Sequence, residues 1–457
     1  MNDEPRGVSK DGGDVRMPTF TEAFRVWLRI GLLSFGGPAG QIALMHKEVI
    51  EIRHWIGERR FLHALNFCTL LPGPEAQQLA TYLGWLMHGV KGGVAAGVIF
   101  VLPGAVVMLA LSLIYALAGQ VPAIDALFFG LKSAVLVLVI EALMRVGRRA
   151  LKGRAAWGLA VAAFLALFFL GVPFPLVVLA AGLIGFVIPA AFSVGGHGSV
   201  KSDQPALIDA VLAAEPDRPA RLAAGARKAG LVALVLWLTP VLALVLLAGG
   251  TYADIAWFFS KMAVVTVGGA YAVLAYVAQD AVQAYQWLDA EEMLTGLGLA
   301  ETTPGPLILV LQFVGFLAGF RATTGPSGVT GGILASALTL WVTFAPCFAF
   351  VFLGAPLIER LQGHKGLSGA LAAITASVVG VIANLAVWFA SNVLFAKHSA
   401  FRAGPVAFDL PTVTSVDLPA LALAVLSGIA LFHLKLGVMP VLGLAALLGL
   451  GVRMLLV

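Results

Sequence analysis

Ser34-Phe35-Gly36-Gly37-Pro38, Trp55 and Pro72-Gly73-Pro74 form one series of landmarks. Thr266-Val267-Gly268-Gly269-Ala270, Trp287 and Pro304-Gly305-Pro306 repeat it 232 residues later without a gap. Gly-Gly and Pro-Gly-Pro inside apolar stretches interrupt helices, because proline has no amide to donate and collides with the turn before it. In a bilayer the freed backbone groups are tolerated only inside protein or around a polar cavity. Two copies of an interrupted pair are the pattern of a transport site placed between repeats.

The surrounding chain has the composition a bilayer requires. Its 457 residues are 60% apolar and 12% charged, which excludes a soluble multidomain protein of this length. Apolar runs of about 20 residues match the span of a membrane helix. Strand-period alternation is absent, which excludes a barrel. The fold class predicted is therefore an all-α polytopic membrane protein with two inverted-topology homologous halves and broken or re-entrant helices. The first twenty residues are polar and of mixed charge, so no cleaved signal is expected. Cys68 and Cys347 have no ligand spacing and read as small buried residues, with no metal and no cofactor implied. The net charge of +5 is assigned to cytoplasmic loops and not to nucleic acid.

Beyond an insertion near 321–330 the match resumes at an offset of 243. Leu102-Pro103 then meets Ala345-Pro346, and Lys132 and Glu141 meet Thr375 and Asn384. The chain divides into a tail (1–19), a first repeat (20–194), a linker (195–229), a connecting transmembrane helix (230–248) and a second, inverted repeat (249–457). Each half holds two broken segments followed by four apolar helices.

Charge supports the inversion. Loop 47–60 carries Lys47, Arg53, Arg59 and Arg60, whereas its counterpart 279–292 has no basic residue and carries Asp280, Asp289, Glu291 and Glu292. Loop 145–154 has Arg145, Arg148, Arg149, Lys152 and Arg154 against Lys397 alone in 388–397. By the positive-inside rule the two loops of each pair face opposite sides, with the N-terminus and linker cytoplasmic and the C-terminus periplasmic. If the broken segments re-enter, nine helices cross and loop 47–60 is inside; if they cross, thirteen do and it lies outside. Re-entry is the favoured reading.

Several residues point to an anion. Arg25 and Arg29 are one helical turn apart, and at the 232 offset Arg29 meets Lys261, Ser34 meets Thr266 and Arg25 meets Trp257. A cation and a hydroxyl thus precede both Gly36-Gly37 and Gly268-Gly269. A charge at membrane depth costs several kcal/mol without a partner or a wet cavity, so recurrence favours function over snorkelling to the interface. Pro74 and Pro306 suit the first position of a helix, with Gly73 and Gly305 permitting the turn before it. The free amides at such helix starts hold oxyanions. Glu75 follows in the first turn, a capping acid, a proton-sensitive gate or a partner for Arg29, and Gln77 and Asn66 are further donors. Gln312 is the comparable amide of the second copy. Lys132 and Glu141 are intramembrane candidates, and His54 and His364 read as solvated.

The stretches Ser34-Phe-Gly-Gly-Pro-Ala-Gly-Gln-Ile-Ala-Leu-Met-His46, Leu71-Pro-Gly-Pro-Glu-Ala-Gln-Gln-Leu-Ala-Thr-Tyr82 and Thr303-Pro-Gly-Pro306 resemble the chromate ion transporter family in its long-chain, two-domain form. The resemblance implies efflux of chromate across a bacterial inner membrane, with sulfate as the related dianion, and resistance to chromate. Val267 and Ala270-Tyr271 depart from the pattern expected around the second Gly-Gly. A homodimer is compatible with the sequence. Of the alternatives, an intramembrane reductase would need a flavin, haem or thiol pair that the sequence lacks. A flippase for phosphorylated lipid would share the buried cations.

Overall fold

The 232-residue repeat is kept element by element in the computed structural model, which describes residues 17–35, 37–119, 121–192, 206–266, 270–357, 365–404 and 406–456. Helix α1 (Phe20–Leu33) ends at Ser34, and α2 (Gly37–His46) runs into a π-helical turn at Lys47–Ile52. Helix α3 (Glu58–Leu70) leads to Pro72-Gly73-Pro74, from which α4 (Glu75–Ala118) departs. Helices α10 (Gly250–Val265), α11 (Ala270–Gln279), a π turn at Asp280–Ala284 and α12 (Ala290–Thr302) repeat this series in the second half. Even the loop conformations correspond. His54 and Gln286 both adopt φ near +50°, at 52° and 53°. The Trp55 amide donates to the Val49 carbonyl and the Trp287 amide to the Ala281 carbonyl, each at 2.9 Å.

The chain doubles back at the break after α1. Arg29 Nε lies 3.3 Å from Glu48 Oε1. A straight continuation would separate these residues by roughly 28 Å at a helical rise of 1.5 Å per residue. The first broken segment is thus a hairpin. Its wide π turn carries the chain on to α3, where His46 stacks edge-on against Phe61 at 5.3 Å.

Helix α4 is two helices in one. His88 (φ −126°, ψ 22°) and Gly89 (φ 64°) break it, separating the return arm of the second broken segment, which α3 opens, from a long membrane helix. In the second half the same place is opened further. A 3₁₀ turn at Leu307–Leu309 and α13 (Val310–Phe320) form the return arm, the inserted loop follows, and α14 (Gly328–Gly354) crosses. Helix α5 (Pro122–Ala150) has its counterpart in α15 (Lys365–Leu394), 243 residues on at its first residue. The pair α6 (Arg154–Leu170) and α7 (Phe174–Val187) corresponds to α16 (Leu418–Gly428) and α17 (Val438–Leu456).

The connecting helix inverts the second half. Helix α9 (Arg218–Ala243), extended by a π turn to Ala248, begins before the expected boundary of 230. Arg218 and Leu222 line one cavity with Pro18 and Phe20, so α9 starts beside the start of the first repeat. It ends at Gly249, where the second repeat begins. Its 31 residues span about 46 Å, so the two repeats start on opposite faces. Six helices among the described residues are long and apolar enough to cross a membrane, and others are shorter. The chain is a multi-pass helical membrane protein.

The halves exchange their C-terminal helices. Helix α7 packs on α15 and α17 packs on α5. Small residues set the approach: a Cβ on Gly185 would strike the Gly369 carbonyl, and one on Gly130 would strike that of Ala445. Without a hydrophobic drive between helices in lipid, such close backbone contact is a principal source of adhesion. One element was absent from the sequence reading. Strands β1 (His398–Ala403) and β2 (Val406–Pro411) form an antiparallel hairpin, with Phe408 against Phe168 and Phe169.

Candidate functional site

The two Pro-Gly-Pro loops do not sit on their own halves' helix breaks. The Gly305 amide donates to the Ser34 carbonyl at 2.7 Å, and the Gly73 amide donates to the Thr266 carbonyl at 2.8 Å. Each break thus receives the loop of the opposite repeat. Gly73 (φ 120°) and Gly305 (φ 95°) supply the left-handed turns that aim these amides, conformations an L-residue resists. Gly104 of α4 touches Pro304, and its counterpart Cys347 of α14 touches Gly73, so the exchange has the same floor on both sides.

This geometry corrects part of the expected donor set. Ser34 Oγ donates to the Ile30 carbonyl at 2.7 Å, and Thr266 Oγ1 donates to that of Met262. Both hydroxyls therefore cap the ends of α1 and α10. The amides of Gly73 and Gly305 are likewise committed across the repeat. What remains at the loop tips are the first-turn amides of Glu75, Ala76 and Gln77 behind Pro74, and those of Leu307 and Ile308 behind Pro306. Amides at a helix start have no carbonyl of their own helix to bond. Gly37 takes φ 71° at the start of α2, whereas Gly36, Gly268 and Gly269, like His364, lie outside the described residues.

Buried amide side chains surround the exchange. Gln41 donates from Nε2 to the Gly305 carbonyl at 2.5 Å, and Gln78 to the Pro72 carbonyl at 2.6 Å. Gln77 donates to Thr81 Oγ1 at 3.2 Å, and Gln312 to the Ala105 carbonyl at 2.9 Å. All four are at most 1% exposed, and their Oε1 atoms have no hydrogen-bond partner. Buried polar atoms left this way are costly, by about 1–3 kcal/mol each, and call for an explanation. Gln41 and Gln78 gave no repeat signal in the sequence, since their counterparts are Val273 and Val310.

The matched cations each sit beside a carboxylate of their own half. Glu48, with its side chain only 2% exposed, pairs with Arg29 and Arg53. Lys261 lies 5.4 Å above the Tyr276 ring and within electrostatic reach of Asp280. Glu48 and Asp280 are themselves 232 residues apart, so the repeat carries cation and acid together. Sequence reading named the cations but missed their acids: Asp280 was counted as loop charge and Glu48 was not singled out. Arg29 pairs with Glu48 and not with Glu75, on which the Arg149 charge acts. Arg25 lies on the exposed side of α1 with Phe24 and Leu28, and Arg29, one turn on, is also largely exposed beside Glu48. Lys132 reaches Glu291 of the other half at 2.6 Å, and Glu141 pairs with Arg145 one turn away. Asn66 is exposed on α3.

At the outer ends of the hairpins the repeat is answered by different partners. Arg60 pairs with Asp209 of the linker helix α8 (Leu207–Ala214) at 2.6 Å, and the Leu207 and Ile208 amides bond the His54 and Trp55 carbonyls. Its counterpart Glu292 accepts from Arg321 at 2.5 and 2.7 Å. Burial works to raise the Glu292 carboxyl, but the hydrogen bonds from Arg321 and the Asp289 amide hold it below its usual range.

The sequence model of the family described as Chromate transporter matches residues 21–186 and 253–450, one match in each half. A chromate transport protein of Pseudomonas aeruginosa is 31% identical over 441 residues, covering 94% of this chain and 92% of its own. A chromate transport protein of Cupriavidus metallidurans is 25% identical, with 83% and 85% covered. An uncharacterized transporter of Bacillus subtilis is 27% identical over 129 residues, 28% of this chain and 72% of its own length. No solved structure matches the chain. With its two matched halves closed on one another through Gly73 and Gly305, the chain belongs to the chromate transporter family.

Proposed function

We propose that this protein exports chromate across the bacterial inner membrane, and also accepts sulfate, by alternating access around the exchanged Pro-Gly-Pro loops. The reciprocal bonds Gly73–Thr266 and Gly305–Ser34 carry the reading, because they bring both proline-led helix starts to the paired breaks. The amides of Glu75, Ala76 and Gln77 on one side, and of Leu307 and Ile308 on the other, would hold the oxyanion with help from the helix dipoles. The buried amides of Gln41, Gln77 and Gln312 would each offer a second N–H to the same ligand, while Gln78 is shared between the Pro72 carbonyl and Cys347. Such a backbone-lined site separates chromate from sulfate weakly, because the two share shape and charge.

Arg29 and Lys261 act in this scheme as attracting charges that exchange their carboxylate for the dianion. With the N-terminus cytoplasmic and the C-terminus periplasmic, export runs down the membrane potential. A dianion leaving a negative interior gains about 4.6 kcal/mol at 100 mV, enough for a gradient of order a thousandfold. Proteoliposomes of purified protein should accumulate radiolabelled chromate under an imposed potential, with unlabelled sulfate competing. Uptake equal to that of protein-free liposomes would remove the proposal.

A further inference from the structure

The break at His88 and Gly89 opens a gap outside the exchanged loops, on the face where α1 and α9 begin. His88 donates from Nε2 to the Pro18 carbonyl at 2.8 Å, and Arg218 Nη2 donates to the Met87 carbonyl at 2.7 Å. These two bonds hold the starts of α1 and α9 apart around a cavity of about 610 Å³, lined among others by Thr19, Phe20, His88, Arg218, Arg221 and Leu222. Two guanidinium groups, of Arg218 and Arg221, line it, and Asp217 precedes the first of them at the start of α9. Arg218 and Arg221 share the single carboxylate of Glu215, at 3.5 and 2.8 Å. Helix α9 adds Arg227 and Lys228 and contains no acid. Arg218 Nε is buried and has no hydrogen-bond partner, so one guanidinium donor is left open.

Past the break, α4 presents an apolar face between the helices that approach it. Helix α4 exposes Val94, Val98, Leu102 and Val106, spaced four apart on one face. Helix α1 closes against α4 at Gly31, beside Ile99 and Phe100, and α9 comes beside Val90 at Gly225. Both flanking helices expose apolar side chains, Phe24 and Leu28 on α1 and Leu231, Val232 and Val235 on α9. An arginine-lined pocket followed along α4 by such a face fits a molecule that joins a phosphate to a long chain. Free phosphate would use only the pocket.

We propose that one phosphate-bearing lipid binds here, its phosphate oxygens accepting from Arg218 and Arg221 and an acyl chain lying along Val94, Val98, Leu102 and Val106. Fixing the start of the connecting helix α9 against the kink of α4 would then depend on the leaflet's lipid. The test is native mass spectrometry of the delipidated full chain with dioleoyl phosphatidylglycerol, dioleoyl phosphatidylcholine or inorganic phosphate. The wild type should retain one phosphatidylglycerol in preference to phosphatidylcholine. Each arginine removed should cut that preference about fivefold. Arg221→Ala should lower it, Arg218→Lys should keep most of it, and Arg227→Ala, the same charge change outside the lining, should leave it intact. Equal retention of both lipids would overturn the proposal, as would equal losses from Arg221→Ala and Arg227→Ala. Displacement of the lipid by millimolar inorganic phosphate would overturn it in favour of a free-anion pocket.

Discussion

Gly305 donates its amide to the Ser34 carbonyl across 2.7 Å, tying the loop of the second half to the broken helix of the first. Gly73 and Thr266 make the equivalent bond, so the carbonyl at each break is met by the opposite repeat. An unmet carbonyl in a membrane interior costs several kcal/mol, and exchange removes that cost on both sides at once.

Gly73→Ala should therefore destabilise the protein. The residue sits at φ 120°, and a Cβ would meet Cys347 Sγ and Gln78 Nε2, each at 2.8 Å. Strain of this kind costs about 1–3 kcal/mol before any clash is counted. Thermal unfolding in detergent should show a clear fall relative to Gly153→Ala, where nothing lies within 4 Å. Equal unfolding temperatures would mean that the exchanged turn is not a point of closure.

Neutralising either matched cation should impair transport at normal expression. Arg29, with 58% of its side chain exposed, and the half-buried Lys261 would act on a dianion through partly screened charge, so Arg29→Ala and Lys261→Ala should each lower the chromate rate several-fold. Arg29→Lys should lose less, since ammonium keeps the charge but not the fork of donors. Wild-type rates in both alanine variants would leave Arg29 and Lys261 as partners of Glu48 and Asp280 and nothing more.

Cysteines placed at Arg53 and Gln283 in a Cys68/Cys347-free background should react with impermeant reagent from opposite sides. Both positions follow α2 and α11 in their π turns or just after them, and only inversion separates them. Labelling of the two from one side would contradict the path of α9.

The Glu292–Arg321 pair predicts acid sensitivity of a defined sign. A carboxyl held below its unfolded value adds stability above that value, and the contribution disappears as pH falls through the folded one. Arg321→Ala should therefore lower the unfolding temperature at neutral pH, and the difference from wild type should shrink below about pH 4. A pH-independent difference would assign the loss to packing. Tyr115, which donates to Glu292 at 3.3 Å, would remain in either case.

The sequence by itself determined the helical membrane class, the two halves and the places where their helices break. Those follow from composition and from glycine and proline at a fixed offset, which act locally on backbone geometry and need no partner to be read. It also located Arg29 and Lys261, because a repeated cation in an apolar segment is visible in one dimension. Only the tertiary structure decided what meets what. That the Gly73 loop serves Thr266 and not Ser34 depends on how the halves cross, which leaves no periodic trace. Asp209 and Arg321 answer the matched residues Arg60 and Glu292 from unrelated segments, so no offset relates them. The repeat fixed the breaks because they are local, and packing chose their partners because a bilayer interior leaves no backbone group to water.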